Sequence, residues 1–173
     1  MATNTGLPWS LPYPESTDDV RPYEDIQALA VQVHAMLDTL LNPTWTAYTP
    51  SLSASGGGLS LGNGAIVGEY QTRGNLVFAN WQLTVGSTTN LGSGALFVGA
   101  PVNAHASALA QNVGAAYALD TAVKDWAGVL KWEDATKWSI PVANQGVVTP
   151  VSNLPFAFTT GDKIRGACWY RPA

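Results

Sequence analysis

The best match to a catalytic motif in this sequence surrounds Ser60. Gly58-Leu59-Ser60-Leu61-Gly62 fits the G-x-S-x-G pattern, in which a sharp turn from a strand into a helix presents a nucleophilic serine to a histidine base. Here the motif follows a run of serine, alanine and glycine at 53–57, which we expect to form a loop. The two histidines, His34 and His105, belong to other predicted elements. The motif therefore does not predict hydrolysis at Ser60.

The motifs for cofactors and metals are incomplete. Gly62–Gly68 approximates a dinucleotide fingerprint, but it has one residue too many and precedes a predicted strand rather than a helix. Neither histidine has a second histidine or a cysteine four residues away with which to bind zinc. Cys168 is the single cysteine, which excludes an intrachain disulfide and a cysteine cluster, and we expect it to be a small buried apolar residue. We predict no cofactor and no metal site.

Carboxylates offer one further route to catalysis, because two acids that folding brings together can hydrolyse a glycosidic bond without a local motif. The acids considered for such a pair are Glu69, Asp120, Asp125 and Asp162. The predicted strand region contains few acids, so a glycan hydrolase is the least favoured function. We predict no catalytic residue and expect that the protein is not an enzyme.

Tryptophans are the residues best suited to contact a sugar, because an aromatic ring offers a large apolar face. The chain has seven of them: Trp9, Trp45, Trp81, Trp126, Trp132, Trp138 and Trp169. A β-rich core also needs such residues, and core packing is the favoured role for each. Trp132 and Trp138 flank a predicted hairpin at Glu133–Thr136, which makes these two the best candidates for an exposed contact.

Length, charge and hydropathy limit the possible functions. The chain has 173 residues, enough for one domain with an appended element, and 12% of them are charged. A net charge of -4 argues against a nucleic-acid binder, because such proteins carry a basic patch. No apolar run approaches the roughly 18 residues of a membrane span, and prolines interrupt the first residues where a signal peptide would lie. We expect no nucleic-acid partner, no membrane anchor and no cleaved secretion signal.

The chain separates into three parts of unlike composition. Residues 1–45 contain six acidic residues and one basic residue, whereas residues 46–173 contain six acidic and seven basic residues. The first part, 1–17, is rich in proline, which favours an extended arm. The second part, 18–43, is a predicted helix. The third part, 44–173, is a predicted β-rich head.

The arm has no predicted core of its own to cover its apolar side chains. We predict that it anchors the protein to a partner through Leu7, Pro8, Trp9, Leu11, Pro12, Tyr13 and Pro14. A proline-rich segment has few conformations to lose, so docking costs little entropy.

The helix, whose predicted centre is 22–41, has apolar residues at alternating spacings of four and three, which is the pattern of a coiled-coil seam. The seam residues are Ile26, Ala30, Val33, Leu37 and Leu40. Two interpretations stay open: the helix packs on its own domain, or it forms the interface of a trimer. The wide apolar stripe and the absence of Lys and Arg between Pro22 and Asn42 favour the trimer.

From Thr44 onward the sequence predicts short strands separated by glycine-rich turns. The predicted strands are Ala65–Thr72, Leu76–Val85, Ala95–Gly99, Gly114–Leu119, Trp126–Trp132, Lys137–Val142 and Lys163–Tyr170. In the second strand Val77, Ala79, Trp81, Leu83 and Val85 alternate with Phe78, Asn80, Gln82 and Thr84, so one face belongs to the core and the other is mostly polar. The pattern predicts a mainly β fold, with an antiparallel β-sandwich or jelly-roll-like head. The absence of β-α-β alternation excludes Rossmann and α/β-hydrolase folds.

Several turn-rich motifs together resemble those of a known family. They are Gly6-Leu7-Pro8, Leu11-Pro12-Tyr13-Pro14-Glu15-Ser16-Thr17-Asp18, Trp45-Thr46-Ala47-Tyr48-Thr49-Pro50, Leu61–Tyr70, Gly86-Ser87-Thr88-Thr89, Leu154-Pro155-Phe156 and Gly161-Asp162-Lys163-Ile164. With these motifs most of the chain resembles the virion accessory proteins of tailed phages that infect actinobacteria. Glu69 departs from the pattern, which has a basic residue before the tyrosine.

The resemblance implies a homotrimer with a β-rich head and no catalytic residues. The implied partners are other copies of this chain and the major capsid protein or a tail subunit, and the implied location is the virion surface. One short helix before a head is too short for a long shaft, which favours a capsid decoration or head-fibre protein. The alternative is a tail-fibre or minor tail module that recognises a host cell-wall glycan.

Overall fold

The structure is a computed structural model, and it describes residues 22–108, 112–121, 123–140 and 155–173. The chain forms two units, Met1–Pro43 and Thr44–Ala173. The predicted arm, 1–17, lies outside the described residues. Its predicted anchoring residues Leu7, Pro8, Trp9, Leu11, Pro12, Tyr13 and Pro14 therefore lie outside them as well.

The described part of the first unit contains one helix, α1, at Pro22–Leu41, which confirms the predicted helix centre. Pro22 takes the first helical position, where its missing N–H costs no hydrogen bond. Glu24 and Asp25 place negative charge in the first turn, where the helix dipole favours it, and Pro43 cannot continue the helix. No helix within the described ranges is long and apolar enough to cross a membrane.

The second unit is built from short and long β-strands. In chain order the strands are β1 Thr46–Tyr48, β2 Leu52–Ala54, β3 Leu59–Ser60, β4 Ala65–Arg73, β5 Leu76–Thr84, β6 Asn90–Leu91, β7 Leu96–Gly99, β8 Asn112–Asp120, β9 Lys124–Asp134, β10 Lys137–Ser139 and β11 Lys163–Tyr170. A short 3₁₀ helix at Ala106–Ala108 precedes β8. The mainly β class is therefore confirmed.

Nine of these strands form one antiparallel sheet, and β3 pairs with β6 in a separate two-stranded sheet. The order across the large sheet is β1-β4-β5-β11-β8-β9-β10-β7-β2. The long strands β4, β5, β11, β8 and β9 lie side by side in it and pair over most of their length.

The large sheet is strongly curled, as the connection between β1 and β2 requires. These two strands occupy opposite edges of the sheet, yet only residues 49–51 join them. A flat sheet of this size would be about 38 Å wide, from eight spacings of about 4.8 Å. The chain from Tyr48 to Leu52 can reach at most about 15 Å. The edges must therefore approach each other, which encloses one face of the sheet and leaves the other face to solvent.

Each predicted strand has a counterpart in the structure, and the predicted turns are present. Gly74 has a positive φ of 57°, which allows the tight turn between β4 and β5. In the turn between β9 and β10, Asp134 Oδ1 accepts a hydrogen bond from the N–H of Thr136 at 2.8 Å. The sequence missed β1, β2, β3 and β6, because strands of two or three residues show no alternation.

The enclosed face of the sheet carries one cluster of buried apolar side chains. In β5 the predicted alternation is confirmed, because Val77, Ala79, Trp81 and Leu83 are all buried. Leu130 of β9 and Ile164 of β11 are buried in the same cluster. This core holds the central strands rigidly, so the outward-facing residues between the buried ones have defined positions.

Candidate functional site

A groove of about 570 Å³ lies on the solvent-facing side of the sheet, across β1, β4, β5, β11 and β8. Strand alternation creates this surface, because residues between buried ones project outward. In β5, for example, Asn80 and Gln82 line the groove, whereas Trp81 between them points its side chain into the core. The volume lies within the range of about 300–1,000 Å³ that is typical of small-molecule sites. We call this surface the outer groove.

The floor of the outer groove consists of alanines. The strand register places one row across the sheet in the order Ala47, Glu69, Asn80, Ala167 and Ala115. Three of these five residues end at a methyl group, so the row forms a depression that longer side chains would fill. The two polar members of the row, Glu69 and Asn80, stand above this floor.

Arg165 occupies the centre of the next row. It lies opposite Gln82 on one side and opposite Tyr117 on the other. Its Nε donates a hydrogen bond to Oε1 of Gln82 at 2.8 Å, which orients the guanidinium group. Within the described part of the chain the Arg165 side chain forms no ion pair with a carboxylate. Its terminal N–H groups are therefore suited to donate to a ligand.

Two side-chain hydrogen bonds lie on either side of Arg165. On one side Nδ2 of Asn80 donates to Oε1 of Glu69 at 3.0 Å. On the other side the Tyr117 hydroxyl donates to Oδ2 of Asp125 at 2.6 Å. This second bond raises the pKa of Tyr117 above its ordinary value, because ionisation of the phenol would break it. The positive charge of Arg165 lowers the same pKa by a smaller amount.

An exposed aromatic ring stands beside the outer groove. Trp169 is 60% exposed, whereas Cys168 and Tyr170 on either side of it are buried. Trp169 follows Ala167 by two residues on β11, which places it about 7 Å further along the same face. Phe78 of β5 lies opposite Trp169 in the register. The ring extends the groove with an apolar surface.

The predicted exposed contact at Trp132 and Trp138 is wrong. Their side chains are only 3% and 0% exposed, and the two rings pack together with centroids 5.3 Å apart. Lys131 and Glu133 flank Trp132 on the exposed face, so alternation in β9 directs Trp132 into the core. The same signal would have identified Trp169 as the exposed tryptophan of β11.

The predicted trimer seam lies on the surface of α1. Its members Ile26, Ala30, Val33, Leu37 and Leu40 are all exposed. Leu29, beside this seam, is exposed as well. The helix therefore presents an apolar stripe with the spacing of a coiled coil.

The residues considered for nucleophilic or metal chemistry lie in separate places. Ser60 is part of β3, opposite Asn90 of β6. The Nδ1 atom of His105 lies 2.8 Å from the Ser107 hydroxyl oxygen. Cys168 is buried, which raises the pKa of its thiol to about 12. Among the residues that the structure describes, no group of three His, Cys, Asp or Glu side chains is arranged to hold a metal.

The acids considered for a glycosidase pair also differ in their surroundings. Asp162 is buried and accepts hydrogen bonds from the N–H groups of Thr121 and Thr159. Glu69 on β4 and Asp125 on β9 have three strands between them, which corresponds to roughly 19 Å of sheet. The two carboxylates of a glycosidase stand about 5 to 9.5 Å apart. Glu69 and Asp125 are therefore too far apart to form such a pair.

Comparison with known protein families, with curated proteins and with solved structures finds no match to this chain. Two features of the described residues have the composition of binding surfaces. The first is the apolar seam of α1, and the second is the outer groove with the adjacent Trp169.

Proposed function

We propose that the protein is a non-enzymatic structural component of a phage virion, a homotrimeric capsid decoration or head-fibre protein on the virion surface. The observation that carries this proposal is the exposed apolar seam of α1. The motif resemblance to virion accessory proteins supports it. The mainly β second unit agrees with the head that the resemblance implies.

Self-association of the helix would remove the seam from water. The side chains of Ile26, Leu37 and Leu40 are 66%, 49% and 41% exposed. Full burial of a large apolar side chain contributes about 1.5–3 kcal/mol. A single helix of this length is only marginally stable in water, so packing against other copies would stabilise both the helix and the assembly.

The breadth of the apolar stripe favours three copies over two. Leu29 and Met36 precede the seam residues Ala30 and Leu37 by one position and widen the stripe. Each helix of a trimer contacts two neighbours and therefore needs a wider apolar face than a helix of a dimer. Between Pro22 and Asn42 there is no Lys or Arg, so interhelical salt bridges with Glu or Asp are not available to hold two helices in register.

The dimensions of α1 favour a capsid knob over a long fibre. At about 1.5 Å per residue, Pro22–Leu41 is about 30 Å long, which is short for a shaft that must reach a cell. In a capsid knob of this kind the second unit would be the head. That head would be a sandwich or jelly-roll-like unit, in which the curled sheet folds over a single core. The exposed face of that unit points towards solvent.

The oligomeric state and the location can be tested on the intact protein. Sedimentation equilibrium of the full chain should give three times the chain mass of 18.2 kDa. Gold-labelled antibodies against the head should decorate the capsid in electron micrographs of intact particles. Label on the tail would support the alternative below, and the absence of the protein from particles would contradict the virion assignment.

The proposed attachment device is the arm, which would bind the major capsid protein or a tail subunit. A variant lacking residues 1–16 should keep the circular dichroism of a strand-rich protein but fail to bind particles that lack the protein. A matched control replaces residues 1–16 with a Gly-Ser segment of equal length, which keeps the spacing and removes the apolar side chains. If either variant bound such particles as well as the unmodified protein does, attachment would have to be assigned to the rest of the chain.

A second candidate function is a tail-fibre or minor tail module that recognises a host cell-wall glycan. The observation that favours it is the outer groove, where polar side chains lie beside the exposed ring of Trp169. Binding of the purified protein to host cell walls, combined with label on the tail, would favour this function.

A further inference from the structure

We infer that the outer groove is a binding site for a neutral oligosaccharide. The inference rests on the second candidate function and names its class of ligand; it concerns the second unit alone and does not depend on the trimer seam. It rests on the hydrogen-bonding atoms of Glu69, Asn80 and Arg165, on the charges around them and on the ring of Trp169.

The outer groove presents acceptors on β4 and β5 and donors on the adjacent strand β11. Glu69 uses Oε1 to accept from Nδ2 of Asn80, which leaves Glu69 Oε2 and Asn80 Oδ1 as acceptors. Arg165 uses Nε to donate to Gln82, which leaves its terminal N–H groups as donors. Adjacent strands are about 4.8 Å apart, a distance comparable with the separation of hydroxyls across a sugar ring. A hydroxyl both donates and accepts, so a row of sugar hydroxyls can satisfy all three side chains.

The charges around the outer groove select against ionic ligands. Arg165 carries a positive charge at its centre, which repels a cation. Glu69 in the groove carries a negative charge, and Asp125, outside the lining, adds another where it accepts the hydrogen bond from Tyr117; both oppose the binding of an anion. A ligand in the groove therefore meets both a negative and a positive charge. A neutral polyhydroxyl compound meets these charges without repulsion.

The floor and the adjacent ring supply the apolar part of the site. Ala167 and Ala115 leave the floor shallow, so a flat ring can lie against the sheet. Trp169 is 60% exposed and offers an apolar face to the C–H groups of a sugar. Its two side-chain torsions cost little entropy on binding, which makes it a suitable anchor.

The position of the outer groove argues against an extended peptide as the occupant. A peptide that binds a sheet by strand addition needs an unpaired edge. Of the five strands under the groove, β4, β5, β11 and β8 have a hydrogen-bonded neighbour on both sides, and β1 alone lies at a sheet edge. A second copy of the chain could cover the groove only through side-chain contacts. The dependence of the NMR signals on protein concentration, described below, tests for such a contact between copies.

The test is a titration of the full-length protein, uniformly labelled with ¹⁵N, and followed by NMR. The neutral probes are maltotriose, cellotriose and triacetylchitotriose, and the charged probes are trigalacturonate and chitosan trimer. At least one neutral probe should shift the Trp169 indole and Arg165 Nε signals in a saturable manner. The charged probes should bind at least about tenfold more weakly, which corresponds to about 1.4 kcal/mol.

Two variants locate the binding site. Arg165→Gln should weaken binding of the neutral probe by about tenfold or more, because it removes charged donors. Arg171→Gln is the matched control, since Arg171 is exposed just beyond β11 and outside the groove, and it should bind normally. Trp169→Ala should also weaken binding. Circular dichroism should show that all three variants keep the strand-rich fold.

Three results would overturn the inference. One is the absence of shifts with every neutral probe at tens of millimolar. Another is equal binding by Arg165→Gln and by the unmodified protein. The third is a shift of the same signals with protein concentration alone, which would make the groove an interface between copies. A monomeric protein that binds the neutral probe would contradict the trimer and leave this inference intact.

Discussion

Trp132 of β9 and Trp138 of β10 lie directly opposite each other in the strand register, and Tyr170 of β11 packs against both. The Tyr170 ring meets the two indoles edge-on, at centroid distances of 5.0 Å and 6.0 Å. The Tyr170 hydroxyl donates to the carbonyl oxygen of Val102 at 2.7 Å, which satisfies the polar end of the ring. This aromatic cluster joins β11 to the hairpin of β9 and β10, from which it is distant in the sequence, so it stabilises the second unit.

Replacement of Trp138 by alanine should therefore lower the free energy of unfolding by about 3–5 kcal/mol, the cost of removing a buried aromatic side chain. Chemical denaturation followed by circular dichroism measures this change. Trp169→Ala is the matched control and should change the stability by less than about 1 kcal/mol, because that ring is exposed. Equal losses in the two variants would contradict the assignment of Trp138 to the core.

Replacement of Asp162 by alanine should lower the free energy of unfolding by about 2 kcal/mol or more. Asp162 is buried, and its carboxylate accepts hydrogen bonds from the Thr121 N–H at 3.0 Å and the Thr159 N–H at 2.7 Å. Alanine would leave both donors without this partner. Asp162→Asn keeps one acceptor oxygen and should lose less stability. Denaturation curves that rank the two variants in the opposite order would contradict this role.

The phenol of Tyr117 should titrate above its ordinary pKa, and Asp125→Asn should lower that pKa. The Tyr117 hydroxyl donates to the Asp125 carboxylate, so the bond exists only while the phenol is protonated. Because the folded-state pKa lies above the unfolded value, the stabilising effect is complete below the unfolded pKa. It is lost as the pH rises through the folded pKa. NMR titration with ¹³C-labelled tyrosine measures the pKa, and Tyr117→Phe identifies the signal.

Replacement of Leu37 by aspartate should shift the protein from trimer to monomer. Leu37 lies in the seam of α1, where three copies would bring three carboxylates together in an apolar environment. Ala35→Asp is the matched control, because it adds the same charge two residues away on the opposite face of the helix. Sedimentation equilibrium measures both masses. If both variants have the mass of the unmodified protein, the seam is not the interface.

Local sequence patterns predicted α1 and the longer strands among the described residues, but not the short strands β1, β2, β3 and β6. The spacing of Ile26, Val33 and Leu37 predicted α1, and the alternation from Val77 to Leu83 predicted which face of β5 is buried. The turn at Gly74 followed from its composition. These signals are local, because periodicity and turn chemistry depend on residues that are close together in the chain.

Only the tertiary structure decided which strands are neighbours and which residues share a surface. Gln82 and Arg165 are joined by a hydrogen bond although 83 residues separate them. Nothing in either local sequence indicates the other, because the pairing of β5 with β11 depends on loop closure and on burial over the whole sheet. The outer groove exists because that pairing brings Glu69, Asn80 and Arg165 onto one face. The sequence contained the donors and acceptors, and the register of the curled sheet placed them together.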